Sequence, residues 1–491
     1  MRGLHAASVA GLASALLAGC AMGPNYHRPA VEIPAAFMFE PGQAAAAANT
    51  DWWTQFKDPV LDQLIRDGLA NNKNIKIAAA NVEQASAVLI STRSPLFPQL
   101  NYQASGGRYR FSQNGTTTLP GNLSNPTNAY QVLAGASWEI DLWGRVRRLT
   151  ESAQANLFAT EQARRGVILS LVGSVASDYL QLRGFDEQLV IAERTLTAYG
   201  ESQLSMKLKF KYGRVSELNV EQANSRYEAA AAQIPQIKTQ IAQLENALSI
   251  LLGKNPGKIP RGKTIFELAS PAIPSGVPSE LLERRPDLLQ SEQQLIAANA
   301  LIGAAKAQFF PTISLTGTTG YSSTDLSNLF KGPARVWNYG GGIAGPIFTG
   351  GQVYGQYKQS QAAHKAALIG YQLAIQSAFA DVENALVSQQ ELSEQVAAQE
   401  RLVTALRAYA QLSQYLFDGG RESYTTVLQA EEQLFPAELN WAAARAALYA
   451  GMVDIYKAMG GGWIDDAAKL TADVPARTAR SGVTEMLAAG K

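Results

Sequence analysis

The chain has 491 residues, a formal net charge of +1, 46% hydrophobic residues and a single cysteine. A near-neutral balance excludes a basic nucleic-acid binder, and one cysteine excludes a disulfide scaffold. Charged residues make up 17%, low for a set of long, freely solvated helices.

Residues 1–19 read as an export signal. Arg2 supplies a positive start, Leu4 to Ala18 is apolar but too short to span a bilayer, and Leu17-Ala18-Gly19-Cys20 closes the run. Those four residues resemble the bacterial lipobox, where cleavage before the cysteine leaves it N-terminal and acylated. Cys20 is therefore the expected lipid attachment, and no thiol remains for disulfide, metal or catalysis. Each buried lipid methylene contributes about 0.8 kcal/mol, so two or three acyl chains anchor essentially permanently. Ala21 follows rather than Asp, which favours outer-membrane delivery. Removing residues 1–19 removes Arg2 and no acid, so the mature charge is +1 − 1 = 0. No later apolar run has the length of a transmembrane helix, so any span must be made of strands.

Residues 20–50 are Pro- and Ala-rich and expected as an extended tether. Asp51-Trp52-Trp53 and Asp58-Pro59-Val60-Leu61 then open a helical pattern carrying Leu61, Leu64, Ile65 and Leu69. A second helix runs to about Ser94, before Pro95 and Pro98. Next the period becomes two. Tyr130, Val132, Ala134, Ala136, Trp138, Ile140 and Leu142 alternate with Gln131, Leu133, Gly135, Ser137, Glu139 and Asp141. Strands are predicted at about 99–111 and 129–142, and again at about 312–322 and 335–348. After each pair comes a long Pro-free stretch, Gly144 to about Lys209 and Gly351 to about Asp418. At 1.5 Å per residue each makes a helix roughly 100 Å long. A return helix follows, expected to be interrupted once at Pro235 or Pro436.

The chain repeats itself. Phe210-Lys211-Tyr212-Gly213-Arg214-Val215-Ser216 returns 207 residues later as Phe417-Asp418-Gly419-Gly420-Arg421-Glu422-Ser423. Ile140 to Val146 returns at the same offset as Ile347 to Val353. This divides the chain into repeat one (51–260), a linker (261–280), repeat two (281–463) and a polar tail (464–491). The Gly-Arg-x-Ser turns mark hairpin tips near 213 and 420, with Gly as C-cap and Ser216 or Ser423 as the next N-cap. Four strands cannot close a barrel. An open sheet edge in lipid costs several kcal/mol per unpaired group, so a transmembrane sheet here must be shared between chains.

Several stretches carry a resemblance. They are LLERRPDLLQSEQQLIAANALIGAAKAQFFP from Leu281 to Pro311, GPNYHRP from Gly23, DWWTQF from Asp51, DPVLDQLI from Asp58 and LLGKNPG from Leu251. Together and in order they resemble the outer-membrane factors of the TolC/OprM/NodT type, the exit ducts of tripartite efflux pumps. The resemblance implies a mainly α fold with transmembrane β: a duplicated strand pair plus long helical hairpin. As a homotrimer it would form a shared 12-stranded β-barrel in the outer membrane above an α-helical barrel in the periplasm. It implies a passive duct for small molecules. Its partners would be a periplasmic adaptor, an inner-membrane RND-type transporter and outer-membrane lipid, with no nucleic acid and no cofactor beyond the lipid on Cys20. Gly213, Arg214, Ser216, Gly420, Arg421 and Ser423 match the tip positions that dock the adaptor. Phe417, Glu422, Thr426 and Gln429 fall at the periplasmic gate. Tyr212 and Gly419 replace the family's frequent small apolar residue, and Thr426 and Gln429 stand where some members place an acidic ring. The exit duct of a type I protein-secretion system and a non-conducting envelope lipoprotein are the alternative readings.

Two further motifs read as structural. Gly257 to Thr264 matches a P-loop formally, but it follows a helix instead of a strand and contains Pro260. Arg284-Arg285-Pro286-Asp287 suits a helix start. His5, His27 and His364 are not spaced for a metal site or a triad, so no enzyme is expected.

Overall fold

A computed structural model describes residues 21–31, 33–34, 36–39, 51–112, 114, 124–273, 278–461 and 463–471. Cys20, the export signal, residues 40–50 of the tether and 472–491 of the tail lie outside them. Pro59 sits in the first turn of α1 (Pro59–Asn71), where Asp58 caps the amide of Val60. Asn72 ends α1 and caps α2 (Lys73–Arg93) through the amides of Asn74 and Ile75. Strands β1 (Gln99–Tyr109) and β2 (Thr127–Ile140) follow, then the hairpin α3 (Arg145–Lys211) and α4 (Glu217–Leu251). After the turn Leu281–Arg284 the plan recurs: α5 (Pro286–Ala307), β3 (Thr312–Ser323), β4 (Arg335–Ala344), α6 (Gln352–Asp418) and α7 (Tyr424–Met459). A short α8 (Trp463–Lys469) ends the described chain. The rods α3 and α6 have 67 residues each. Among the described residues no helix is long and apolar enough to cross a membrane.

Four expectations change. The last strand stops at Ala344, not 348, because Pro346 has no amide for a ladder, so Ile347 lies beyond it. The second strand runs 127–140 instead of 129–142, and Leu142 donates back to the Ile140 carbonyl in a turn. Pro235 and Pro436 do not interrupt the return helices; both sit inside continuous α4 and α7. An interior proline costs about 3 kcal/mol. Burying Ile237 and Ile241 beside Pro235 contributes about 1.5–3 kcal/mol each, enough to hold the helix across it. Finally, the tail is not polar from 464: Trp463, Ile464 and Ala467 of α8 are buried in the main core.

That core joins the start of repeat one to the end of repeat two. Trp52 stacks on Tyr456 at 5.1 Å and meets Trp463 edge-on at 6.1 Å, while Trp53 meets Trp463 at 5.7 Å. The described residues around the junction of the repeats are packed. Ile259, Ile265 and Leu268 are buried, and Tyr449 and Tyr456 donate to the carbonyls of Leu268 and Ala272. Arg261 bridges Asp186 on α3 (2.9 Å) and the buried Glu245 on α4 (2.6 Å). The P-loop match is consumed here. The amides of Gly257, Ile259, Gly262, Lys263 and Thr264 donate to Ser249, Glu245, Tyr179, Asp58 and Glu267, so these five are not free for phosphate. Arg285 is likewise structural. Buried at the start of α5, it donates to Asp287, to Asp381 on α6 and to the Ala458 carbonyl on α7.

Burial acts to raise the Glu245 carboxyl, but Arg261 and the Ile259 amide hold it below its ordinary value of 4.5. A depressed carboxylate stabilises the fold above that value and loses its contribution as pH falls through the lower, folded-state value. Arg261→Leu should cost about 3–5 kcal/mol at neutral pH, by leaving a buried charge whose one remaining ion-pair partner among the described residues is the exposed Lys258. The sign then reverses, because burial dominates and acidification relieves the variant. Melting temperature measured between pH 6 and pH 3.5 should fall more steeply for the parent than for the variant. Parallel curves would contradict this role for Arg261.

Candidate functional site: an amphipathic sheet above two clasped tips

The strands form one antiparallel sheet in the order β1-β2-β3-β4. Its register sorts the side chains, because residues directly opposite share a face. One face carries Leu100 and Tyr102 opposite Ala136 and Ala134, then Val132 opposite Tyr321, Trp138 opposite Leu315, and Ile313 opposite Ile343. Trp337 and Tyr339 stack on this face at 5.7 Å, and Tyr102 and Tyr339 are 88% and 81% exposed. The other face carries Asn101, Gln103, Ser105, Gln131, Ser137, Thr316, Thr318 and Asn338. Its one charged residue, Glu139, is paired with Arg145 at 2.7 Å. The sheet is thus greasy on one side and neutral-polar on the other, with β1 and β4 as open edges.

At the far end of the rods, both predicted tips are helix stops of one kind. Gly213 (φ +72°) and Gly420 (φ +68°) adopt the left-handed conformation that favours glycine. The amide of Gly213 bonds to Phe210 and that of Arg214 to Lys209; Gly420 and Arg421 repeat this with Phe417 and Leu416. This is the Schellman motif. Ser423 caps α7 by accepting from the Thr426 amide, whereas the Ser216 hydroxyl donates to the Asn219 side chain instead. Arg214, Ser216, Arg421 and Ser423 are exposed, so the structure brings the six tip residues to one end of the molecule as two adjacent turns.

The expected gate residues separate. Gln429 is exposed, but Phe417 is half-buried, packed on Tyr424 at 5.3 Å with the Lys209 ammonium over its ring at 4.6 Å. Glu422 accepts from the Thr426 hydroxyl at 2.9 Å, so these two hold each other. Sequence reasoning missed the contacts that clasp the hairpins together. Lys209 pairs with Asp418, Arg226 on α4 with Glu431 on α7, and Tyr199 on α3 donates to the Glu431 carbonyl. Higher up, the buried Glu438 is shared by Arg194 on α3 and Arg407 on α6. No local pattern signals these pairs, most of them more than 200 residues apart.

These features can be compared with known proteins. The family described as outer membrane efflux protein matches residues 64–254 and 277–461. The chain belongs to that family. Cation efflux system protein CusC of Escherichia coli is 35% identical over 456 residues, covering 91% of this chain and 96% of CusC. Toluene efflux pump outer membrane protein TtgI of Pseudomonas putida is 37% identical over 464 residues, with the same coverage. The outer-membrane channel OprN superposes with a TM-score of 0.84 at 30% identity, covering 91% of this chain and all of OprN. The protein is an outer-membrane efflux channel with the TolC-like fold, and its sheet and rods take their meaning from that.

The described N-terminal strap has a defined path. Gly23 lies against Gly303 so closely that a Cβ on either would strike backbone. Arg148 on α3, itself buried, donates to the Met22 carbonyl and to Asn25, and Asn299 on α5 donates to the Pro24 carbonyl. Ala21 is thereby held beside Gly144, where sheet and rods meet.

A charged hydrogen bond such as Arg226 to Glu431 contributes about 1.5–3 kcal/mol. Glu431→Gln should therefore speed amide exchange at the tips, around 206–220 and 417–428, roughly tenfold or more. Hydrogen–deuterium exchange by mass spectrometry checks this, and unchanged protection would show that the pair does not hold the tips.

Proposed function

We propose that three copies of this channel close one 12-stranded barrel in the outer membrane and one helical tube below it. The single observation that carries this is the four-stranded sheet with one apolar face and two open edges. Head-to-tail closure pairs β4 of one chain with β1 of the next, and antiparallel order is kept around the ring. The apolar faces then meet lipid, with the aromatics at the interfaces, and the neutral-polar faces line the lumen. A lipid on Cys20 would enter the inner leaflet at the junction where Ala21 is held. The tips dock a periplasmic adaptor, and an inner-membrane RND-type transporter supplies energy and selects cargo. The paired Glu139 is the one charge that the strands turn inward, so the barrel offers little basis for sorting small molecules by charge. Opening at the periplasmic end would part the two clasped hairpins.

Three measurements test this reading. Deleting the gene should raise susceptibility to at least one class among drugs, dyes and metals in a strain lacking redundant ducts; an unchanged profile would favour a scaffold. Arg421→Glu should weaken adaptor binding about tenfold while the oligomer stays intact, the scale of losing one exposed charge-assisted contact, about 1.4 kcal/mol. Equal adaptor affinity for both proteins refutes docking at this tip. Cys20→Ser should abolish incorporation of labelled palmitate, and continued labelling rules out acylation at Cys20.

A further inference from the structure

We propose that Arg108 and Arg335 bind phosphate groups of anionic lipid in the outer leaflet, at each seam between chains of the barrel. The inference rests on the shared barrel proposed above. On the apolar face of the four strands these are the two charged side chains, and both sit at the end away from the helices. Arg108 is opposite Asn128 and one residue from the end of β1; Arg335 is opposite Tyr321 and opens β4. Both are exposed, and neither has an ion pair or hydrogen bond from its side chain among the described residues.

Closure makes a site of them. β1 and β4 are the sheet's two edges, and antiparallel pairing of β4 with the next chain's β1 brings these two strand ends together. Neighbouring strands lie about 4.8 Å apart, so each seam holds two guanidinium groups of like charge on its lipid-facing side. No carboxylate in the strands is placed to relieve them. Between residues 100 and 138 the charged residues are Arg108 and Arg110; between 307 and 357 they are Asp325, Lys331 and Arg335. That gives four cations against one acid per chain at this end. At the opposite end the charges are matched, Glu139 with Arg145 and Asp141 with Arg147.

The surroundings fix the ligand class. Tyr321 faces Arg335 directly, and Trp337 is the next residue inward on that face of β4. Such aromatics sit at headgroup depth, the level of lipid phosphates. The planar guanidinium fork matches phosphate oxygens in two-point contacts. Because both side chains leave the sheet on the face that meets acyl chains, the phosphate source is a membrane lipid, not a free ion.

The test uses the purified full-length channel in neutral detergent, with lipid A, phosphatidylcholine or inorganic phosphate added. Lipid A should raise the temperature at which the wild-type oligomer dissociates, and Arg108→Gln/Arg335→Gln should lose that shift. Phosphatidylcholine and inorganic phosphate should give none. Equal protection of the double variant, or protection by inorganic phosphate alone, overturns the site. Native mass spectrometry of the wild-type oligomer supplies a readout that needs no variant: it should retain lipid A but not its dephosphorylated form, and equal retention overturns the site. A monomeric wild-type preparation overturns the shared barrel and this site with it; an oligomer indifferent to lipid A overturns the site alone.

Discussion

Backbone groups left unpaired in hydrocarbon govern how this sheet can be used. Each unsatisfied amide or carbonyl in lipid costs several kcal/mol, and β1 and β4 each present a row of them. A chain with four strands has no internal remedy, so in the proposed barrel its edges are completed by other chains. The order β1-β2-β3-β4 leaves the first and last strands as edges, running in opposite directions at the same end. Closure into a ring is therefore available without any change of topology. The duplication serves this: each repeat contributes one strand pair and one rod hairpin, so barrel and tube grow by the same number of copies.

The two halves of the duct are held by different physics. In the sheet, alternation does the work, since a slip of one residue would turn Tyr339 and Ile343 into the lumen and Asn338 into lipid. In the rods, small residues allow close approach: Gly184 packs on Ala446, and Gly173 on Val453 and Lys457. The aromatic knot of Trp52, Trp463 and Tyr456 stiffens the middle by tying the beginning of repeat one to the end of repeat two. The tips lie beyond that knot, at the end of the rods away from the sheet. There, a small cluster around Met206, Val220, Tyr424 and Val427 and a few ion pairs hold the hairpins together. A structure stiff in the middle and lightly clasped at its end is suited to movement at that end.

Much of this was legible in the sequence, for physical reasons. A period of two and the absence of proline over some 65 residues are local signals, and they placed the strands and rods to within a few residues. The 207-residue echo exposed the duplication and both left-handed glycines. What was not legible depends on partners distant in sequence. Pro235 reads as a break until Ile237 and Ile241 are seen buried on their neighbours. Trp463 reads as the edge of a polar tail until Trp52 is found against it. The gate residues were placed by matching positions, yet Phe417 lies under Lys209 and Glu422 is tied to Thr426. The Arg226–Glu431 pair, 205 residues apart, leaves no trace in either local sequence.

The central claim is that the open edges are closed by two further copies of the same chain. The mass of the detergent-solubilised protein, measured by multi-angle light scattering with the detergent contribution subtracted, tests it most directly. Three chains per particle are expected. A single chain that stays folded in mild detergent would contradict it.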